Sequence, residues 1–437
     1  MNSKFGRGAR RMFGSMLCAV GLGSGWAQAA SLPMPTAEWD WMLSASQTQH
    51  RATPWTDKRD AQQTFGALLD VQTRWQQWTG RFALVGDPLW QDNALPNSAD
   101  TELDLIPYEL FWQGPLTLGE TKADVTLGKI RLDWGVGYGY RPLDLFLPYQ
   151  QNPLGIQVEE GPGVALLSLY DATGEWSLVA TDASWVSEQR TTPLQRQNQQ
   201  RGVGLRHYRL SGDSEWQVIG YVDDVRKGLL GASWVSVLNA SWEVHGSALY
   251  QRRYWQYALP QENHQPIQLK EQHDAGQALL GVNWAGSSGQ NVIAEYWYDG
   301  RSWRDSQWQE ALARVGSLQA QQQPALAGAY AQGFEHTNLM AHNLLVHWSL
   351  DKSAWRNWTW SQSSDLLSRV TPTLDVLYAP QDGGVMLTPR VNIELHDSGA
   401  SSSALELVAR YAGGDSHSVY AQIPDRLTFL LNLKGRF

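Results

Sequence analysis

The clearest pattern in the chain is a strict alternation of apolar and polar residues near its C-terminus. In VMLTPRVNIELH, every second residue from Val385 to Leu395 is apolar, and the residues between them are mostly polar. Successive side chains of a β-strand point to opposite faces, so this spacing predicts a strand with one apolar face. The last segment, RLTFLLNLKGRF, alternates in the same way up to Phe437.

Similar segments recur at short intervals from about residue 61 onward, including a possible strand near Trp358. Alone, such a strand could be the edge of a soluble sandwich or part of a membrane-spanning barrel. The polar faces carry charges of both signs and the apolar faces end in aromatic residues, which favours a barrel in a bilayer. We therefore predict an all-β fold: a single transmembrane antiparallel β-barrel of about 16–18 strands over residues 61–437.

The N-terminal region resembles a secretory signal. A basic start is followed by a short apolar stretch and by the small residues Ala27 and Ala29, which predicts a signal peptide over residues 1–29. Residues 30–60 show no clear period and are predicted to be an N-terminal arm or plug. Cys18 is the chain's one cysteine and lies within the predicted signal, so no disulfide is expected in the mature protein.

Two irregular regions interrupt the strands. Ser302–Gln323 has Trp308, Ala311, Leu312, Val315 and Leu318 at helical spacing, which predicts a helix in a long loop. Leu127–Tyr170 contains clustered glycines and four prolines, three of which, Pro142, Pro148 and Pro153, forbid a regular ladder. We expect this second region to fold inward over the lumen of the barrel.

The same region resembles alginate-export-type outer-membrane barrels and their uncharacterised, porin-like relatives. That resemblance implies a barrel that passes a specific polar or anionic substrate, such as a polysaccharide or a lipid-like product. A second match is EYWYDG, Glu295–Gly300, which looks like a strand ending of that group. The residues that carry the main match are Gly128, Lys129, Arg131, Trp134, Gly135, Pro142, Leu143, Asp144, Glu160, Pro162 and Gly163.

Candidate pore residues come from the inward faces. Lys129, Arg131 and Asp133 form either a substrate-selective cluster or, as the stronger expectation, a buried ion-pair network that anchors the inward region. On the C-terminal strands, opposite charges on neighbouring strands predict a cross-strand ladder first and a selective lining second. The residues of this second set are Arg390, Glu394, Glu406, Arg410, Lys434 and Arg436.

The function that these features favour is a channel or transporter in the outer membrane of a Gram-negative bacterium. The alternative is a non-transporting, capsule-anchoring lectin barrel that binds sugar through exposed Trp303, Trp308 and loop tyrosines. We do not expect the protein to be an enzyme, and we expect no catalytic residue, cofactor or metal site. The net charge of −9 argues against a nucleic-acid partner. The expected partners are outer-membrane lipid, the barrel-assembly machinery acting on Phe437, and a periplasmic export partner.

Overall fold

Unpaired backbone groups are intolerable in a bilayer, and the strands of this chain pair in a closed ring. The computed structural model describes residues 34–55, 61–92, 103–119, 121–147, 154–186, 192–262 and 265–437. Within them, 18 antiparallel strands form one sheet, and β1 pairs with both β2 and β18. The all-β single barrel predicted from the sequence is thus confirmed, whereas the predicted signal peptide lies outside the described residues.

The strands follow one another around the barrel in chain order. They are β1 (Thr36–His50), β2 (Gln62–Trp75), β3 (Trp78–Gln91), β4 (Asp104–Leu118), β5 (Thr121–Lys129), β6 (Gly163–Tyr170), β7 (Gly174–Asp182), β8 (Arg201–Ser211), β9 (Ser214–Asp223), β10 (Leu229–Asn239), β11 (Trp242–Ala258), β12 (Gln268–Ala285), β13 (Gln290–Asp299), β14 (His342–Leu350), β15 (Val370–Ala379), β16 (Gly384–Asp397), β17 (Ser402–Gly414) and β18 (Asp425–Arg436).

The barrel is closed by its first and last strands. Leu43 pairs with Leu433 near the middle of this seam. At its end, Trp39 and Phe437 exchange two backbone hydrogen bonds of 3.0 Å. The last residue of the chain is therefore part of the ladder, and its role in assembly stays a prediction.

Two sequence predictions need correction here. Residues 36–50 form β1 in the barrel wall, not the predicted arm or plug, because their small residues blur an alternation that the ladder nevertheless uses. The predicted strand near Trp358 is absent from the described structure, where residues 351–369 form turns and two short 3₁₀ helices. Three tryptophans in six residues gave this stretch a strand-like composition without an alternating face.

The predicted faces are confirmed on the C-terminal strands. Leu407 is 40% exposed on the outer surface, whereas Val408 is 7% exposed and faces the lumen. Phe429 and Leu431 are exposed and the intervening Leu430 is buried. An apolar outer surface of this kind suits a hydrocarbon surround. None of the helices in the described residues is long and apolar enough to cross a membrane.

The two ends of the barrel differ. Short turns such as 76–77 and 212–213 lie at the end that also carries residue 437, and most long connections lie at the other. Outer-membrane barrels place short turns on the periplasmic side. The connection 300–341 contains α1 (Asp305–Ala320) and α2 (Pro324–Ala329), which confirms the predicted loop helix.

An apolar core fills the long-loop end. Trp55, Trp303, Trp308 and Tyr330 pack there with the buried face of α1. Trp303 and Trp308 are fully buried, so the prediction that they are exposed sugar-binding residues is wrong. Both lie in a largely polar loop, but that loop has a hydrophobic core of its own.

The two faces of β17 should respond differently to charge. We expect Leu407→Arg to destabilise the barrel in a bilayer by about 2–4 kcal/mol, because it places a cation in hydrocarbon. Val408→Arg, one residue along, should cost much less because it faces the polar lumen. Urea unfolding in phospholipid vesicles measures both, and equal losses would contradict the assigned faces.

Candidate pore and its constriction

The connection between β5 and β6, residues 130–162, folds into the lumen as predicted. We call it the constriction segment; residues 130–147 and 154–162 are described. Its apolar part, Leu143–Phe146, packs on inward residues of β9, β10 and β11. Farther along, a side chain built at Gly155 would touch Leu430 of β18. The segment therefore contacts the wall on opposite sides of the barrel.

A buried carboxylate holds the tip of the segment. Glu295 on β13 accepts hydrogen bonds from the backbone N–H groups of Tyr138 at 2.6 Å and Gly139 at 2.7 Å. His245 Nε2 lies 2.9 Å from the same carboxylate. Gly137 has φ of +118°, which favours glycine, and a Cβ at Gly139 would collide with the wall. The glycines thus let the backbone approach Glu295 closely.

Two tyrosines fix the tip further. The Tyr138 ring lies 4.5 Å from the ring of His347, and its hydroxyl donates to Asp375 at 3.2 Å. Tyr140 stacks on an inward tryptophan of β13, and its hydroxyl donates to Asp299 at 3.0 Å. Because these partners lie on strands β13 to β15, the tip has a defined position in the lumen.

The Asp299 carboxylate joins the constriction segment to the long-loop end. It forms a buried ion pair with Arg301 at 2.9 Å and accepts a hydrogen bond from Asn338 at 2.9 Å. Asn338 belongs to the connection that also contains α1 and α2. The segment and the loop core therefore share one polar network, which restricts independent movement of either part.

A second buried ion pair holds the base of the segment. Arg226 pairs with Asp223 at 2.7 Å, and both side chains are almost completely buried. Arg226 also donates to the carbonyl of Leu145 at 2.7 Å, and Gln200 donates to the same carbonyl at 2.8 Å. These bonds satisfy a carbonyl that the irregular backbone leaves without a ladder partner.

The three predicted residues at the entry to the segment all form ion pairs. Lys129 pairs with Glu160 in a buried contact, Arg131 with Glu159 at 2.7 Å, and Asp133 with Arg141 at 2.5 Å. Five of these six side chains belong to the segment and Lys129 ends β5. The first two pairs tie the two ends of the segment together, and the Asp133–Arg141 pair lies within its first part. Of the three pairs, Lys129–Glu160 is buried, as the predicted anchoring network requires, and the other two are partly exposed. Both the anchoring role and a role in substrate selection stay predictions.

Three of the six residues in the predicted ladder form ion pairs across the C-terminal strands. Glu406 lies between Arg390 and Lys434, 3.3 Å from each, and these three residues line a large cavity. Arg410 lines it too and donates to Thr388 at 3.3 Å.

The remaining two predicted residues lie nearer the short-turn end. Glu394 pairs with Lys352 at 2.5 Å, and Arg436 pairs with Asp40 at 2.8 Å.

The large cavity occupies the lumen and has a volume of about 1350 Å³. The constriction segment contributes Tyr138, Asp144 and Glu159 to its lining, and residues 331 and 334 come from the long-loop core. The wall of β16–β18 contributes the basic residues described above. A solute in the cavity would therefore meet a basic wall and, on the segment, a phenol, two carboxyl groups and the guanidinium of Arg141.

Asp144 lies where this cavity meets a smaller one of about 360 Å³. Burial is the main cause that raises the pKa of its carboxyl to about 7, and the charges of Asp133 and Glu159 contribute to that rise. Arg141 and Arg131 oppose that rise without cancelling it. The constriction thus carries a carboxyl that changes charge near neutral pH.

Sequence reasoning missed the residues that hold the constriction in place. Glu295 and Asp299 stood in EYWYDG, which was noted only as a strand ending. The two residues are four positions apart in a strand, so both lie on the same, inward face, and this spacing is visible in the sequence. Their contacts with Tyr138 and Tyr140 were not readable, because they depend on the path of a segment without a ladder.

Comparison with solved structures identifies the fold. No family model matches the chain, and no curated protein matches it. Solved structures do match. OccAB1 of Acinetobacter baumannii aligns with a TM-score of 0.57 at 11% identity, covering 92% of this chain and 96% of that one.

Two further structures align over 92% of this chain, each with a TM-score of 0.51 at 8% identity. OccAB3 of A. baumannii is covered to 99%, and OccK8 (OprE) of Pseudomonas aeruginosa to 97%.

The chain therefore has the fold of outer-membrane porins of the Occ type. This likeness and the apolar outer surface place the barrel in an outer membrane, as the sequence predicted. The resemblance that the sequence suggested was to alginate-export-type barrels. At this level of identity the structural match concerns the fold alone.

The Glu295 carboxylate should determine the width of the pore. We expect Glu295→Gln to loosen the constriction. The amide NH₂ of glutamine would face a backbone N–H that is also a donor, and hydrogen bonds to a charged acceptor contribute about 1.5–3 kcal/mol each. Single-channel recordings in planar bilayers should show a larger and noisier conductance. Glu394→Gln, which removes an equivalent charge near the turn end, is the control, and matching traces would refute the role of Glu295.

Asp144 should make ion selectivity depend on pH. Its carboxyl is neutral below its pKa of about 7 and negative above it, so anion preference should rise as pH falls from 8 to 6. Reversal potentials across a salt gradient measure this change. Asp144→Asn should remove that component of the pH response, and an unchanged response in the variant would assign it to other groups.

Proposed function

We propose that this barrel is an outer-membrane channel for small polar solutes that carry an anionic group. The observation that supports this proposal is the column of Arg410, Arg390 and Lys434 lining a wide cavity beside the constriction. The three residues lie on adjacent strands, and the register of these strands places Arg410, Arg390 and Lys434 at successive depths in the lumen. An anion could then pass from one cation to the next.

The charge balance of this wall favours anions. Three cations border the cavity along β16–β18, with Glu406 among them and Asp425 at the long-loop end of β18 as the anions of the same strands. Charges in a narrow, water-filled space with low-dielectric walls act over longer distances than charges on an open surface. Rings or columns of arginine and lysine are the arrangement that favours anion passage.

The opposite side of the passage gives grounds for substrate specificity. Tyr138, Asp144 and Glu159 offer a phenol and carboxylates, which suit hydroxyl or ammonium groups of a solute. A molecule with an acidic end and a neutral or cationic polar end would orient between the two sides. The cavity volume of about 1350 Å³ leaves room for such a molecule with some of its water.

The alternatives raised by the sequence receive less support. A sugar-binding surface barrel would need exposed aromatic residues at the long-loop end, but Trp303 and Trp308 form a buried core there. Export of an alginate-like polymer, together with a periplasmic export partner, stays a prediction that rests on the resemblance of Leu127–Tyr170 alone.

Planar-bilayer recordings test the proposal directly. We expect steady channels whose reversal potential in a KCl gradient shows anion preference, and Arg390→Gln with Arg410→Gln should reduce that preference at least several-fold. In vesicle-swelling assays, lactate should enter faster than the neutral lactamide through the unaltered barrel. The double variant should lose most of this difference.

Arg436→Gln is the matched control, because it removes a cation that pairs with Asp40 near the turn end. A barrel that inserts correctly but carries no current would refute the channel proposal. A conducting barrel with equal rates for lactate and lactamide would refute the anionic substrate class.

A further inference from the structure

Residues 351–369 join β14 to β15 at the short-turn end, where the neighbouring connections are much shorter. The β12–β13 turn covers residues 286–289, and the β16–β17 turn covers residues 398–401. Ordering a longer connection costs conformational entropy, so its position must be held by contacts of its own.

Several contacts fix this connection to the rim of the barrel. The Trp355 indole N–H donates to the carbonyl of Val370 at 2.8 Å, and Asn357 donates to the carbonyl of Ser288 at 3.3 Å. Ala354 is buried and lies where a side chain at Gly289 would touch it. The connection is therefore packed against the neighbouring β12–β13 turn and against the start of β15.

Part of the connection covers the outer face of the rim. Leu344 and Tyr378 are exposed on the outer surface, and by alternation Leu350 and Val370 face the same way. Yet Leu350 is 2% exposed and Val370 is 9% exposed. The connection that starts and ends at these two residues accounts for their burial.

Three tryptophans of the connection form a cluster with an exposed apolar edge. The Trp358 and Trp360 rings are nearly parallel at 6.2 Å, and Trp355 meets both edge-on. Trp360 remains 69% exposed and Leu366 remains 62% exposed. Such an edge, on a segment held rigidly at the rim, is suited to a partly apolar surround.

This cluster fills a gap in an aromatic belt. Five outward tryptophans at the same end of the barrel are each more than two-fifths exposed, but strands β15 to β18 contain no tryptophan. The connection lies directly before those four strands. The exposed belt residues on the other strands are Trp39, Trp75, Trp78, Trp176 and Trp242.

We propose that residues 355–366 anchor the barrel in the headgroup layer of the periplasmic leaflet, with glycerophospholipid as the partner. Tryptophan favours this layer because its ring is apolar while its N–H can bond to water or ester groups. Arg356 is exposed within the same stretch and can reach lipid phosphate. The proposal depends on the barrel and its lipid-facing surface, and not on what the pore admits.

The depth of a single spin label tests this anchor. The chain has no cysteine after residue 29, so Ser363→Cys gives one labelling site in the folded barrel. In phospholipid vesicles, the measured quantity is the ratio of the label's accessibility to oxygen to its accessibility to a water-soluble nickel chelate. At residue 363 this ratio should lie between the ratios of two reference labels. Ala400→Cys in the β16–β17 turn is the aqueous reference, and Leu407→Cys on the outer face is the hydrocarbon reference. A ratio at residue 363 equal to that at residue 400 would overturn the proposal.

Tryptophan emission gives a second, label-free measurement. Phospholipids brominated near the headgroup should quench part of the intrinsic fluorescence of the unaltered barrel. Trp358→Phe with Trp360→Phe should remove emission that belongs to the quenched fraction. If the emission lost is instead unquenchable by lipid, the cluster faces water and the anchor does not exist.

Discussion

The rest of the structure depends on the requirement that every backbone polar group inside a bilayer find a partner within the protein. An 18-stranded sheet meets that requirement only when β1 joins β18, and here the pairing extends to the last residue, Phe437, opposite Trp39. Closure then separates an outer surface that must be apolar from a lumen that can hold charge. The alternation of β16, β17 and β18 follows from that separation.

A closed lumen imposes a second condition, because charges removed from water must be paired or must line water-filled space. Both solutions occur in this barrel. Lys129 with Glu160 and Arg226 with Asp223 are buried pairs that fix an irregular backbone. The cations of β16–β18 instead border the large cavity. The same residue types thus have different tasks, according to whether the constriction segment covers them.

This distinction explains how much the sequence could predict. The two faces of β18 and the helix at Trp308 depend on local periods of two and 3.6 residues, which are visible without any knowledge of the fold. The first strand was missed because alternating Ser and Ala residues from Ser44 to Ser46 give little contrast between faces. The Glu295 contacts could not be derived at all, since they join residues 156 or more positions apart through a segment without regular pairing.

Pore width and the basic charge of the pore are therefore set by separate parts of the molecule. Width depends on buried bonds of β13 to the tip of the segment, chiefly those accepted by Glu295. The basic charge depends on inward residues of β16–β18, among them Arg390, whose strands form no part of those tip contacts, whereas the segment itself contributes the carboxyl of Asp144. Because the tip is held from one side and the cations stand on another, either property can change without disturbing the closed ladder. A barrel with this division can alter its solute preference through side chains alone while its backbone pairing stays intact.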